Sequence, residues 1–317
     1  MIRFTAIRLI EIAAMLVLMS FVIYGLIGLM PGDPIDLMMA ADPHLTSADL
    51  ARLKALYGVD QPLLARYWAW ASTALHGNLG YSRLFAAPVT ATLLPRLGNS
   101  LVLMGSSFIL AFLLSLGLGI AAARRPRSRF DATVNFAAFA AVSLPTFWLA
   151  LILILVFAQG LHWLPASGIS GGEDAGLADR LRHLTLPVAT LTIASIGGYT
   201  RYVRAAMRDA LGQDHIRTAR AKGASERRII WLHALRSALV PISTILALSF
   251  GSLVSGALVT EEMFAYPGMG KLIFDAVMGN DYNLALAALL LATAVTMAAN
   301  LAADLAYAWL DPRVTLH

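Results

Sequence analysis

The sequence predicts an all-α, polytopic membrane protein with six transmembrane helices and both termini in the cytoplasm. The chain of 317 residues has a mean hydropathy of +0.70 and only 14% charged residues, whereas soluble domains carry about a quarter. A transmembrane helix needs about 20 mostly apolar residues, and only helices or closed barrels satisfy their backbone in lipid. Six windows without charge fit helices, and they are residues 12–32, 97–123, 132–161, 184–200, 237–260 and 282–303.

The first window has two interpretations, a cleaved signal peptide or a retained span. The apolar core of a signal peptide is about 7–15 residues long, so the longer window 12–32 favours an uncleaved first helix. With a cytoplasmic N-terminus, 16 of the 24 Lys and Arg residues fall on the inner side. This distribution follows the positive-inside rule. We therefore expect residues 1–96 to form the first helix and a long periplasmic loop, and residues 97–317 to form a five-helix core with a cytoplasmic loop at 201–240.

The loop contains a short helix bounded by helix-ending and helix-starting residues. Gly212 is expected to end the helix that leaves the fourth window, and Asp214 to cap a new helix that begins at 215. Gly223 then stops this helix, and Ser225 caps the next one. Because a two-turn helix is unstable alone, residues 215–225 need a surface to pack against. They are either a docking element or an ordinary basic loop with helical propensity.

Several function classes find no support in the residues. The chain has no cysteine, and its seven histidines form no metal-ligand pattern, so no metal, cofactor or catalytic residue is predicted. The stretch at 266–273 resembles a phosphate loop, but Ala265 and Leu272 stand where that motif needs Gly and Ser or Thr. No acidic residue lies in a window core, which argues against a proton-coupled secondary transporter, the alternative of another class. Asn99, Asn135 and Asn300 are candidates for pore or helix contacts.

The stretch Thr218–Gly223, read TARAKG, and the following LVP at 239–241 resemble the "EAA" loop of ABC-transporter permeases. Thr218 replaces the usual Glu, as in the permeases of dipeptide, oligopeptide and nickel importers. Further motifs resemble the same branch, in order along the chain: PGDP at 31–34, YGVDQPLLARYWAW at 57–70, HGNLGYS at 76–82, the stretch 143–168, EEMFAYPGMGKLI at 261–273 and DLAYAWLDPRV at 304–314. The chain is most similar to the first permease of each pair, which has the long outer loop.

The resemblance implies a type I ABC importer permease in a bacterial inner membrane, paired with a second homologous permease. Two ATPase subunits, which hold the ATP and Mg, would dock on the short cytoplasmic helices, and an extracytoplasmic binding protein would deliver substrate. The implied ATPase-coupling residues are Ile216, Arg217, Thr218, Ala219, Arg220, Lys222, Gly223 and Ala224. We expect the three basic residues to pair with acidic groups of the ATPase, and Ile216 and Ala219 to insert into it. Short peptides are the favoured substrate, with nickel or another metal chelate, an opine or a sugar left open.

Overall fold

A computed structural model describes residues 2–29, 61–172, 176–252 and 257–310. The PGDP motif and the first half of the predicted outer loop lie outside these residues. The chain divides into two compact units, Met1–Gly98 with Gly268–Val295 and Asn99–Pro267 with Thr296–His317. Each unit is described by itself. The division near residue 97 resembles the predicted domain boundary, but residues 268–295 group with the N-terminal unit.

The described chain is almost entirely helical. Its elements, in order, are α1 (Ile2–Gly28), α2 (Leu63–Leu75), β1 (Tyr81–Ser82), β2 (Ala87–Pro88), α3 (Val89–Arg124), α4 (Arg129–Ser143), α5 (Thr146–Leu153), α6 (Leu177–Leu211), α7 (Asp214–Ala221), α8 (Glu226–Arg228), α9 (Leu235–Ser252), α10 (Leu258–Met263), α11 (Met269–Met278) and α12 (Tyr282–Leu310). Two π-helical stretches continue helices without a break, Ile154–Gly160 after α5 and Ile229–Ala234 between α8 and α9. The two strands pair antiparallel, with Tyr81 opposite Pro88.

Three described helices are long and apolar enough to cross a membrane, and they contain most of the first, second and sixth predicted windows: Thr5–Gly28, Val89–Arg124 and Tyr282–Leu305. A bent helix pair raises this number to four if it counts as one span. The fourth and fifth windows fall within α6 and around α9. The count of six therefore stays a prediction.

The uninterrupted hydrophobicity of the third window suggested one straight helix, but the structure has two helical arms there. Residues Arg129–Ser143 and Thr146–Gly160 meet at an angle of 101°. Leu144 has extended backbone angles, with φ −83° and ψ 126°, and precedes Pro145. The proline ring disfavours helical geometry at the residue before it, so the Leu-Pro step ends α4 and redirects the chain.

In the first unit, a cluster of buried aliphatic side chains joins α1, α3, α11 and α12. Ile23, Leu93, Leu272 and Leu284 represent the four helices in this cluster. The short hairpin is tied to the start of α12 through the buried carboxylate of Asp281. Its oxygens accept hydrogen bonds from the Ser82 hydroxyl at 2.6 Å and from the backbone N–H groups of Leu84 and Leu284. These bonds satisfy a buried charge that would otherwise be costly.

In the second unit, the backbone of α6 lies close to those of α3 and α4 at two glycines. Gly119 lies on α3 and faces α6, and Gly197 lies on α6 and faces α4. A Cβ built on Gly119 of α3 would lie 2.7 Å from Val203 Cγ1, and one built on Gly197 would lie 2.2 Å from the carbonyl oxygen of Ala138. Real side chains do not approach this closely, so both positions require glycine as the backbones stand. Small residues of this kind allow close helix packing in lipid.

Candidate functional site: the 212–228 segment

The short helix α7 is bounded by two well-defined turns within residues 212–228. Gly212 ends α6, and its N–H donates to the carbonyls of Arg208 and Asp209 at 3.2 Å. Its φ is −83°, so the predicted helix end is present but needs no left-handed glycine. Gln213, rather than the expected Asp214, occupies the N-cap position of α7, with extended backbone angles and no side-chain capping hydrogen bond.

The far end of α7 forms a complete Schellman motif around Gly223. The N–H of Gly223 donates to Arg220 O at 2.9 Å, and the N–H of Ala224 donates to Ala219 O at 3.1 Å. This pattern places the glycine in the left-handed region, and its φ is +76°. The Ser225 hydroxyl then accepts a bond from the Arg228 N–H at 3.4 Å and caps the next helix. The predicted roles of Gly223 and Ser225 agree with this geometry.

The side chain of Ile216 anchors α7 in the core of its own chain. It is fully buried, at 0% exposure, in a cluster with residues of α3, α6 and α9, among them Ile120, Met207 and Ala238. Ala219 and Ala224 are partly buried against the same cluster. Because Ile216 and Ala219 are one turn apart, both face the core of their own chain in this structure, and the expected coupling role of Ile216 stays a prediction.

The polar side of α7 carries the predicted basic residues. Arg217 lies 3.3 Å from the carboxylate of Asp214, and both side chains are largely exposed. Arg220 bonds the carboxylate of Glu226 through Nε at 3.0 Å and spans the Gly223 turn. The sequence interpretation did not foresee this internal partner. Thr218, Lys222 and Gly223 are exposed, so α7 presents a cationic, polar surface.

A buried ion pair near the start of α4 was missed by the sequence analysis. The carboxylate of Asp131 accepts two bonds from the Arg204 guanidinium of α6, one of them from Nη2 at 2.7 Å. It also accepts the backbone N–H of Arg127 at 3.0 Å, and the Ser128 hydroxyl caps α4 by accepting the Asp131 N–H at 3.1 Å. The pair fixes the beginning of α4 against α6. The Ser-x-x-Asp spacing signalled the cap, but nothing local identified Arg204 as the partner.

The three candidate asparagines lie in different surroundings. Asn135 donates to the carboxylate of Asp131 at 3.0 Å, one turn away on α4. Asn99 donates to the carbonyl of Pro267 at 2.8 Å, which ties α3 to the chain after α10. Asn300 is exposed on α12. The first two therefore make structural contacts, and no pore-lining role is assigned by their geometry.

The same end of α3 holds a second set of buried polar contacts. The Ser100 hydroxyl donates to the fully buried carboxylate of Glu261 at 2.6 Å. Tyr266 donates its hydroxyl to the carbonyl of Asn99 at 3.2 Å. Burial, and then the nearby carboxylate of Glu261, raise the pKa of Tyr266 to about 12, so the phenol keeps its proton at neutral pH. These bonds hold residues 261–267 against α3.

Within the residues that the structure describes, no group of three or more His, Asp or Glu side chains is placed to hold a metal ion. A shallow surface pocket at the end of the 212–228 segment is lined by Ser225, Arg227, Arg228 and Trp231. A smaller one, lined by Arg124, Arg125, Leu211, Arg220, Glu226 and Ile230, lies between α7 and the helices that support it. The arrangement is suited to contact with a polar or anionic surface rather than to covalent chemistry.

The chain is similar to several named permease proteins. The oligopeptide transport system permease protein AppB of Bacillus subtilis is 39% identical over 90% of each chain. The di/tripeptide permease DppB of Pseudomonas aeruginosa is 34% identical over 92% of each chain. OppB of Mycobacterium tuberculosis is 36% identical over 99% of each.

A solved inward-facing structure of the MetNI methionine ABC transporter has the same fold. The TM-score is 0.58 at 17% identity, and the match covers 70% of this chain and 97% of that chain. Family models match residues 1–104, described as the N-terminal part of a binding-protein-dependent transport system membrane component, and residues 115–316, described as the inner membrane component itself. Since the two models together cover nearly the whole chain, the protein belongs to the family of binding-protein-dependent transport system inner membrane components.

Proposed function

We propose that this chain is the pore-forming permease of an ATP-driven importer of short peptides, moved by ATPase subunits that bind the exposed face of α7. The observation that carries the coupling role is the construction of the 212–228 segment. An eight-residue helix is exposed on its polar side, closed by a Schellman turn and anchored by one buried isoleucine. The peptide substrate is supported by the relatives, which are named as oligopeptide and di/tripeptide permeases.

The packing of Ile216 gives α7 the means to transmit a displacement. Its cluster includes Ile120 of α3, Met207 of α6 and Ala238 of α9. Close-packed side chains transmit movement because they leave little free volume. A push on α7 is therefore passed to three long helices, and the exposed Arg220–Glu226 pair, which spans the Gly223 turn, stabilises that turn by about 0–1 kcal/mol. In this scheme the ATPase contacts are Arg217, Thr218, Lys222 and the exposed turn, with Ile216 and Ala219 as the internal anchor.

As a member of this family, the chain works with ATPase subunits and a substrate-binding protein. We infer the finer arrangement, in which it pairs with a second homologous permease, two ATPases hold ATP and Mg, and the binding protein docks on the outer side. Exposed ion pairs contribute only about 0–1 kcal/mol each. The docking of α7 on the ATPase therefore depends on shape as well as on its cationic surface.

The test is uptake by the purified transporter in proteoliposomes with its cognate binding protein. We expect ATP-dependent accumulation of labelled di- or oligopeptides. If peptides do not accumulate but a nickel chelate, an opine or a sugar does, the peptide assignment is wrong and the permease role stands. If uptake proceeds without ATP and follows an ion gradient, the protein is a secondary transporter and the proposed ATP-driven mechanism is wrong.

The coupling route is tested with Ile216→Ala and the matched variant Ile216→Val. Truncating a buried Ile to Ala costs about 2–5 kcal/mol and to Val about 0.5–1.5 kcal/mol. We expect the Ala variant to retain assembled ATPase but to lose most peptide uptake per ATP hydrolysed, and the Val variant to keep most of it. Equal uptake per ATP in the two variants would contradict transmission through this side chain.

A further inference from the structure

A basic pocket lies at the end of the 212–228 segment, on the exposed side of the helix that leads into the fifth predicted span. Its volume is about 360 Å³, and it is lined by Ser225, Arg227, Arg228 and Trp231, all of them exposed. The acidic neighbour Glu226 is engaged by Arg220 at 3.0 Å. The two adjacent guanidinium groups therefore give the pocket a net positive charge.

The helix beyond the pocket exposes both apolar and charged side chains. Beyond Arg228, the exposed apolar side chains are Trp231 and Leu232, followed by Leu239 and Val240, with 42–56% exposure, and Arg236 is exposed between them. The opposite side is buried in the unit core through Ile229, Ile230, Ala234 and Ala238. Trp and Arg at the end of a helix with exposed apolar side chains are typical of the membrane–water interface, which is the level of lipid headgroups.

We propose that this pocket binds the phosphate of an anionic phospholipid from the cytoplasmic leaflet. Arg227 and Arg228 supply planar donors suited to a phosphate, and the Trp231 indole N–H adds a donor at the level of the glycerol backbone. Basic pockets at the cytoplasmic side of membrane helices bind such headgroups. An acidic ATPase segment is the other candidate, but the exposed Trp231 and Leu232 beside the two arginines suit the glycerol and acyl-chain region of a lipid. The inference rests on the cytoplasmic placement of the 212–228 segment.

The test compares how much lipid the complete wild-type transporter and its variants retain. Each transporter is first placed in nanodiscs of equal parts phosphatidylglycerol and phosphatidylcholine. Native mass spectrometry counts the lipids that remain bound. Each basic residue near an anionic surface strengthens binding about fivefold, so we expect Arg227→Gln/Arg228→Gln to reduce retained phosphatidylglycerol by about thirtyfold. The control Arg236→Gln removes an exposed charge from the same helix outside the pocket, and it should retain the lipid. Equal retention in both variants would overturn the proposal.

Photocrosslinking separates the sources of the anion without measuring transport. Trp231 is replaced by p-benzoylphenylalanine in the assembled transporter in membranes. Adducts with phospholipid support the proposal, and adducts with the ATPase alone overturn it. Loss of phosphatidylglycerol on addition of millimolar inorganic phosphate would also overturn it, because the pocket would then be a free-anion site. Since neither readout involves uptake, failure here leaves the importer function standing, and failure of peptide uptake leaves the lipid site standing.

Discussion

Gly223 ends α7 with a φ of +76°, and a Cβ added there would meet no atom within 4 Å. Substitution at this residue therefore acts through backbone strain alone and not through a clash. The left-handed conformation costs an ordinary L-residue about 1–2 kcal/mol, and β-branched residues tolerate it least. Asn, with a short polar side chain, tolerates it better than other residues.

We predict that Gly223→Val uncouples ATP hydrolysis from uptake while the protein still inserts. The strain favours opening of the Schellman turn by about 5- to 30-fold, so peptide transported per ATP should fall by a similar order. The measurement is parallel uptake and hydrolysis in proteoliposomes. Gly223→Asn should stay near the wild type. Gly212→Ala is the matched control, since Gly212 bounds the same helix at an ordinary φ of −83°; a wild-type ratio in the Val variant would contradict the role of the turn.

The Asp131–Arg204 pair leads to a stability prediction at the same scale. Asp131→Asn leaves a largely buried guanidinium without its counter-charge, and breaking a buried pair costs about 3–5 kcal/mol. We expect a clearly lower thermal unfolding temperature of the detergent-solubilised chain. The control Glu11→Gln breaks the exposed Arg8–Glu11 pair and should cost about 0–1 kcal/mol. A similar decrease in unfolding temperature in both variants would show that Asp131 contributes no more to stability than a surface charge.

These residues also show what the sequence could predict. Gly223 and Ser225 follow local rules for ending and starting helices, so their roles could be predicted from the sequence alone. The burial of Ile216 depends on which side of α7 faces the core, and the short helix is too brief for its apolar period to indicate the side. The partner of Asp131 is 73 positions away, and such contacts are set by tertiary packing.

At the scale of elements, the contact of α6 with α4 depends on the backbone-to-backbone approach at Gly197. A methyl group there would lie 2.2 Å from Ala138 O and 2.9 Å from Val142 Cγ2. The adjacent Gly198 has no atom within 4 Å of its added Cβ. Two neighbouring glycines on one helix therefore offer a matched comparison.

We predict that Gly197→Ala destabilises the chain and that Gly198→Ala does not. Overpacking costs about 1–3 kcal/mol, because α4 must move away from α6. Thermal unfolding of the two variants in the same detergent measures the difference. Equal unfolding temperatures would mean that α4 and α6 do not meet closely at this point.

The positions of the long elements were mostly predictable, whereas their exact bounds and their breaks were not. Charge-free windows located α1, α3 and α12 because each of these helices contains one long charge-free run. The absence of charge also predicted a single span over residues 132–161, although the sequence contains the helix-ending dipeptide Leu144–Pro145. The hairpin at 81–88 had no signal of its own, since its two-residue strands depend on Asp281 far along the chain.

At the scale of the whole molecule, the family assignment agrees with the predicted fold class and leaves the orientation to be tested. The chain has no cysteine, so single cysteines can be introduced as topological probes. Lys222 and Gln61 are both exposed, and they fall in the predicted cytoplasmic loop and the predicted outer loop respectively.

We predict that a membrane-impermeant maleimide labels Gln61→Cys but not Lys222→Cys in intact spheroplasts. In inverted membrane vesicles the pattern should reverse, because the inner face is then outside. Labelling in detergent confirms that both thiols are reactive. Modification of Lys222→Cys from the outside of intact cells would place α7 on the wrong side for an ATPase and would remove the coupling proposal.

The 101° turn at Leu144–Pro145 has a consequence for how the protein is made. The first arm, α4, has 15 residues, and a helix of that length measures about 22 Å against a hydrocarbon core of about 30 Å. Neither arm is long enough to leave the translocon as a stable span while the ribosome is still adding residues. In the folded chain, α4 packs on α6 at Gly197 and is bonded to it through Arg204. We therefore expect stable insertion of this region to require α6 as well as the two arms.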